Sequence, residues 1–415
     1  MAIFLTLAAT IASQLADPSQ VQATAPRAEL TYADIDAGIG YSTNPRMSTN
    51  PRMSQSTGDG GRGFGRLAVR GYHVRRSERS NLTLSGYVEN TTYTGKFPSD
   101  QIAQLSGHYD VASSEKVHLF ADVVGSIDRG GQLETRLLSS PDPTIIPPQD
   151  APPPLPGTSF DYFSLSERIY RVSTQVGAQV SSSPRDSWTI RGGYQYLARR
   201  GSTFDTNESD VFGSVGYDRR VSERAVAGLL VSAEYVNFSG PAQYTVVTPQ
   251  VTGSIELSSQ TQISGGAGVS ISHLETGGQT RNSVGFAGNL SVCHRGDKDQ
   301  LCATVSRDQQ TTTAAGVGNA VAAQLSYSRR LSQDDSLQMA LSAARYSQGI
   351  SLVNPEFSLA HTTSFLGSVG YNHTISNRWS LGTQLAARTM SRPGPDPKAD
   401  LSGFFYVRLR LGDML

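Results

Sequence analysis

Cysteine is nearly missing from this chain: 415 residues contain two, Cys293 and Cys302. A disulfide-built scaffold and a multi-cysteine metal centre are thereby excluded. An excess of either charge is missing too, since 35 Lys and Arg balance 35 Asp and Glu. Nucleic-acid partners select basic surfaces, so none is expected. Past the N-terminus no apolar run comes near the ~18 residues that a membrane-crossing helix requires. Mean hydropathy is −0.30, and a helical membrane protein is ruled out.

What is present is glycine, tyrosine and short-range alternation. The chain holds 41 Gly and 17 Tyr, a composition suited to an all-β protein. From Glu29 onward it divides into segments with period-two patterning. In AELTYADIDAGIGY, Ala33, Ile35, Ala37, Ile39 and Tyr41 share one face, with Tyr32, Asp34 and Asp36 on the other. NRWSLGTQLAAR sets Trp379, Leu381, Leu385 and Ala387 against Ser380, Gln384 and Arg388. About 18 such segments begin near residues 29, 63, 81, 100, 116, 166, 186, 208, 224, 243, 261, 281, 299, 317, 335, 361, 377 and 400.

Short polar connections such as SSPRD and RRVSER alternate with long ones. The long ones include TNPRMSTNPRMS, SSPDPTIIPPQDAPPPLPG and SRPGPDPK. A soluble sandwich would need its second face covered, and a solenoid would have similar connections at both ends. Alternating turns and loops, an even strand number and apolar stripes of ~10 residues predict an antiparallel, up-and-down transmembrane β-barrel. Lipid demands closure, because every backbone N–H and C=O must be paired within the structure. The short turns are then periplasmic and the long loops extracellular. The barrel is expected to occupy residues 24–415, with residues 129–163 as a Pro-rich extracellular loop that hangs outside or folds inward as a plug.

One unit recurs: GYHVRRSERSNLT, HYDVASSEKVHLF, GYDRRVSERAVAG, SYSRRLSQDDSLQ and GYNHTISNRWSLG. Each has a Tyr followed five residues later by Ser. A unit repeated this often reads as architecture before it reads as a ligand site. Tyr109, Tyr217, Tyr327 and Tyr371 fall on the apolar parity where that face ends. With Trp188 and Trp379 they are expected to form a periplasmic aromatic girdle, at one height. Tyr72 falls on the other parity.

Cys293 and Cys302 flank the turn HRGDKDQL. A two-residue loop at Asp297 and Lys298 places them opposite one another, with Cα atoms roughly 4.5 Å apart. That spacing suits a disulfide, which the periplasm would oxidise. Closing the sheet sets the first strand between the second and the last. Its inward Asp34 and Asp36 then meet Arg66 and Arg70 on one side and Arg408 and Arg410 on the other. Two readings stay open: a charge ladder that fixes register, or a charged constriction that selects solutes. His118 and Asp122 share an inward face, but no serine placement or nucleophile elbow accompanies them. No enzymatic activity, cofactor or metal site is expected.

The N-terminal AIFLTLAATIASQLA suits a signal-peptide h-region, with residues 1–23 removed after Val21-Gln22-Ala23; a buried helix is the alternative. DLSGFFYVRLRLGDML resembles the C-terminal assembly signal of bacterial outer-membrane barrels, although it ends in Leu415 with Asp413 breaking the stripe. GIGYSTNPR resembles a group of β-barrel porins found with exopolysaccharide and other envelope gene clusters. The resemblance implies the outer membrane of a Gram-negative bacterium and suggests polysaccharide export. Lipid, lipopolysaccharide, the barrel-assembly machinery and a periplasmic export component are the partners it implies. The expected function is a channel for hydrophilic solutes or polymer. A structural barrel that anchors surface material is the alternative, and an outer-membrane hydrolase the third reading.

Overall fold

A computed structural model describes residues 29–45, 60–95, 99–129, 168–200, 207–239, 242–276, 278–312, 316–351, 362–391 and 399–413. The signal segment, the Pro-rich loop and most of the TNPRMS duplication lie outside the described residues. The first strands are β1 (Glu29–Ser42), β2 (Arg62–Arg76), β3 (Ser80–Tyr93), β4 (Asp100–Ser114), β5 (Val117–Arg129) and β6 (Arg168–Ser181). Next come β7 (Asp186–Arg200), β8 (Asn207–Ser222), β9 (Ala225–Phe238), β10 (Ala242–Ser258), β11 (Thr261–Thr276) and β12 (Gln279–Arg295). The last are β13 (Asp299–Thr312), β14 (Gly316–Arg330), β15 (Asp335–Ser351), β16 (Thr362–Thr374), β17 (Trp379–Ser391) and β18 (Asp400–Gly412). Every start agrees with the alternation to within two residues.

All pairings are antiparallel between sequence neighbours, and β1 pairs with both β2 and β18. The sheet is therefore a closed 18-stranded barrel with no free edge, the solution that lipid requires. Ile39, Leu105, Val176, Val251, Val284 and Leu385 are among its exposed apolar residues and point outward. Inward positions carry Asp36, Thr91, Ser173, Gln175, Thr189, Ser270 and Gln384, all buried. This outside-apolar, inside-polar order inverts that of a soluble protein and is the mark of a barrel built for lipid.

Inward glycines have a packing purpose. Gly40 opposes Phe64, Gly177 opposes Phe120, Gly193 opposes Phe212 and Gly382 opposes Tyr406, each directly across a strand pair. A Cβ at any of the four would collide with that ring. The aromatic side chain thus lies flat on the neighbouring backbone, where it covers the glycine and pins the pairing.

The repeated Tyr-to-Ser unit resolves into turn chemistry. Ser77, Ser332 and Ser376 accept backbone N–H groups of their turns through Oγ at 3.0–3.4 Å. Ser114 and Ser222 accept the N–H two residues on at 3.3 Å. Such short local bonds are the reason serine suits a tight turn. Tyr109, Tyr217, Tyr327 and Tyr371 all point outward, five residues above these serines. Trp188 opposes Tyr217 with ring centroids 4.9 Å apart. The Tyr217 hydroxyl donates to Asp186 Oδ1 at 2.6 Å, and Tyr371 donates to Asp335, each at the foot of the adjacent strand. The hydroxyl is thus tied to a turn carboxylate, a connection that parity alone did not reveal. Trp379 is outward and half exposed at the start of β17. Tyr72 points inward and packs on Tyr32, centroids 5.5 Å apart, so its hairpin is regular and its tyrosine belongs to the lumen.

Candidate functional site

The lumenal wall is most elaborately built where the chain closes on itself. Asp34 stands opposite Arg410, and Asp36 opposite Arg408, in the β1–β18 register. Both pairs are two-pronged. Arg410 donates from Nε and Nη2 to the Asp34 oxygens at 2.8 and 2.9 Å. Arg408 donates from Nε and Nη2 to those of Asp36 at 2.7 and 3.3 Å. Planar fork-to-fork contacts of this kind are the strong form of ion pair. Asp36 also receives Arg70 of β2 at 3.0 Å, and both aspartates are 1% exposed.

Arg66 departs from expectation. It stands opposite Gly38 rather than an aspartate, and its carboxylate partner is Glu89 of β3 at 3.7 Å. Glu89 accepts from the Tyr87 hydroxyl and from Thr91 Oγ1 as well. The ladder therefore reaches one strand beyond the seam. Each arginine also faces a ring: Arg66 over Phe404 at 3.6 Å, Arg410 over Tyr32 at 4.5 Å, Arg70 over Tyr87 at 5.4 Å and Arg408 over Tyr406 at 5.6 Å. One carboxylate and one aromatic face hold every guanidinium in place, which combines ionic and cation–π attraction.

A second buried cluster sits at the loop end of the same wall. Asp400 accepts from Ser42 Oγ at 2.6 Å, from the Asn44 N–H at 2.8 Å and from Arg388 Nε at 3.0 Å. Arg388 donates in turn to the Pro45 carbonyl. The start of the TNPRMS segment is thereby tied to the barrel rim. Alternation placed Arg388 inward, but this partnership joins residues 343 apart in the chain and has no local signature.

Elsewhere the wall is mixed. Cys293 and Cys302 are directly opposed, and their sulfurs are bonded, with Cα atoms 4.1 Å apart. Cys302 is buried and inward, near the turn where Gly296 N–H donates to Asp299 at 2.8 Å. Asp122 is contacted by His108, at 2.7 Å, and by Gln175, at 3.4 Å; His118, which shares its face, stands opposite Gln179. Val236, Phe238, Tyr244, Val246 and Leu274 form a buried apolar cluster on β9–β11. Patterning of single strands did not foretell it, because inward apolar residues look like lapses in the alternation. Among the described residues no group of His, Cys, Asp or Glu could hold a metal ion.

Barrels with this exterior belong to the outer-membrane class in architecture. Solved structures similar to the chain include the siderophore receptor PirA from Acinetobacter baumannii, at 7% identity and TM-score 0.45, covering 92% of this chain and 80% of that one. OccK2 (OpdF) of Pseudomonas aeruginosa is similar at 10% identity and TM-score 0.44, covering 93% and 98%. The ferric-catecholate import receptor Fiu from E. coli K12 is similar at 7% identity and TM-score 0.41, covering 91% and 81%. No protein-family model matches the chain, and no curated protein sequence matches it.

Proposed function

We propose that this chain sits in the outer membrane of a Gram-negative bacterium and passes hydrophilic solutes or polymer across it. One observation carries the reading: a closed barrel of 18 strands turns Ser, Thr, Gln and Asn inward and an apolar belt outward. At strand spacing ~4.8 Å and tilt ~40°, the backbone cylinder has a radius of roughly 18 Å. That is a wall of the size used for aqueous passage. Polysaccharide export, with a periplasmic partner, is the finer version of this reading. It rests on the resemblance of GIGYSTNPR alone.

A structural, non-conducting barrel is the second reading, favoured by the apolar cluster around Tyr244 and by the ring-lined seam. Planar-bilayer recording with the purified chain separates the two. Stepwise conductance is expected; a silent, correctly folded barrel would favour the structural role. Selectivity then reports on the seam. Four seam arginines share the three carboxylates Asp34, Asp36 and Glu89, so the Arg408→Ala, Arg410→Ala double variant turns a net positive seam net negative and should shift the reversal potential toward cations. An unchanged reversal potential would mean that the seam does not border the conducting path.

A further inference from the structure

One pairing in the ring of strands stops short. Between β12 and β13 it runs from Arg295 opposite Gln300, beside the turn, only as far as Gly288 opposite Arg307. Both strands continue beyond that point. Residues 279–287 stay paired with β11, and residues 308–312 with β14. Among the described residues, neither of these two stretches pairs with the other. Pro249, which has no N–H, interrupts the β10–β11 ladder as well, but there the pairing resumes at Val247 opposite Ile271. The β12–β13 pairing does not resume.

Lipid opposes such a parting, because backbone polar groups must be paired within the structure. Side chains stand in for the ladder here. Counting by twos from the Gly296–Asp299 bond aims the Gln309 N–H at β12; it donates instead to Asp308 Oδ1, at 2.7 Å. Gln309 has the outward parity of Leu301 and Val305, yet it is buried. Its side chain turns through the parting. Nε2 donates to Ser283 Oγ of β12 at 3.1 Å, and Oε1 accepts from the lumenal Tyr244 hydroxyl at 3.4 Å. One glutamine thus latches the two strands where their backbones do not meet.

Apolar surface lies on both sides of this latch. Outside, Val284 and Phe286 on the β12 lip are 72% and 52% exposed. Arg307, exposed at the foot of the parting, has a long stem that lets its charge rise toward the headgroups. Inside, Tyr244 belongs to the buried cluster with Val236, Phe238, Val246 and Leu274. Gln309 stands eight residues beyond Leu301, the partner of the girdle residue Tyr327. At ~3.3 Å per residue and ~40° tilt, that is a rise of roughly 20 Å, within the ~25 Å apolar band and on its outer-leaflet side.

We infer that the β12–β13 parting is a lateral gate, through which an acyl chain of a bilayer lipid reaches the apolar cluster in the lumen, with Gln309 as its latch. The gate adds a sideways route for apolar chains to the axial passage of hydrophilic solutes. It rests on the outer-membrane reading, and the test keeps the two apart. The full chain is inserted into phosphatidylcholine vesicles in which part of the lipid carries a diazirine on one acyl chain. Folding is read from heat-modifiable migration on gels. Failure to insert would overturn the membrane reading and the gate with it.

After irradiation, peptide mass spectrometry locates the lipid adducts. They are expected on Val284 and Phe286 outside the latch and on Tyr244 and Leu274 behind it. Ser106 of β4 and Gln175 of β6, across the lumen, should stay unlabelled. Adducts confined to outward residues would sink the gate and leave the membrane reading intact. Equal labelling of Ser106 and Gln175 would mean entry by the open mouth, and the gate would fall as well. Gln309→Ala should raise labelling of Leu274 about fivefold, the equivalent of one net hydrogen bond. Tyr244→Phe keeps the ring and loses only the longer of the two latch bonds, so about a twofold rise is expected. It carries the test if Gln309→Ala does not fold. Unchanged labelling of Leu274 in the folded variants would overturn the latch and the gate together.

Discussion

Two cross-strand locks face the lumen, and they lock different things. Cys293 and Cys302 join residues nine apart, on strands that a tight turn already holds together. Asp34–Arg410 and Asp36–Arg408 join residues 376 and 372 apart, on the two strands that meet last. A hairpin inherits its register from its turn. The seam has no turn, so its register must be written in side chains. A slip of two residues would keep every side chain on its proper face. It would nevertheless bring Asp34 opposite Arg408 or Asp36 opposite Arg410, and one of the two rungs would be lost. The covalent bond therefore stands where register needs it least, and the ionic pairs where register has no other source. The covalent lock acts on the unfolded chain, while the ionic lock selects among closed ones.

The largest effect is expected from Asp36→Ala. It leaves Arg408 and Arg70 in a buried wall without their shared carboxylate. Removing one partner of a buried pair destabilises by about 3–5 kcal/mol. Urea unfolding in detergent micelles, followed by gel migration, measures the loss. The D36A/R408A double variant should cost less than the two single losses added, because the second change removes a guanidinium that the first leaves without its carboxylate. If the two losses simply add, Asp36 and Arg408 do not act as one rung.

A smaller effect is expected from the C293S/C302S double variant. A closed loop of about ten residues restricts the unfolded chain by about 2–3 kcal/mol, and the turn keeps the pairing in the variant. The unfolding midpoint should fall, while conductance and selectivity stay as in the parent. A loss larger than that of Asp36→Ala would invert the comparison, and the hairpin would then be the weaker joint.

How much of this was legible depends on how far each interaction reaches along the chain. Strand starts and facing parity follow from local alternation, and Cys293–Cys302 follows from counting outward from a single turn. The meeting of Asp34 and Asp36 with Arg408 and Arg410 needed one added premise, that the barrel closes. Arg66 shows where that premise stops. Its charge pointed to the seam aspartates, yet the β1–β2 register puts Gly38 opposite it and leaves Glu89 within its reach. Tyr244 reads as inward from its strand, but its gathering with Phe238 was illegible for another reason: a barrel interior tolerates apolar residues, so no rule of alternation marks where they cluster.

The smallest effect tests the end of the seam. Asp413 breaks the apolar stripe of β18, which made it look like the start of a loose tail. Instead its N–H donates to the Thr31 carbonyl at 2.8 Å, and its Oδ2 accepts the Thr31 N–H at 2.6 Å. Gly412, at φ 101°, supplies the left-handed turn that brings it there, a conformation that other residues adopt only under strain. Asp413 thus extends the β1–β18 ladder one step beyond its regular strand and caps its end. An exposed contact of this type contributes about 1 kcal/mol. Asp413→Ala should leave the unfolding midpoint nearly where it was and speed amide exchange at Thr31 roughly fivefold. Unaltered exchange would place the end of the seam at Arg410, where the ionic rungs themselves stop.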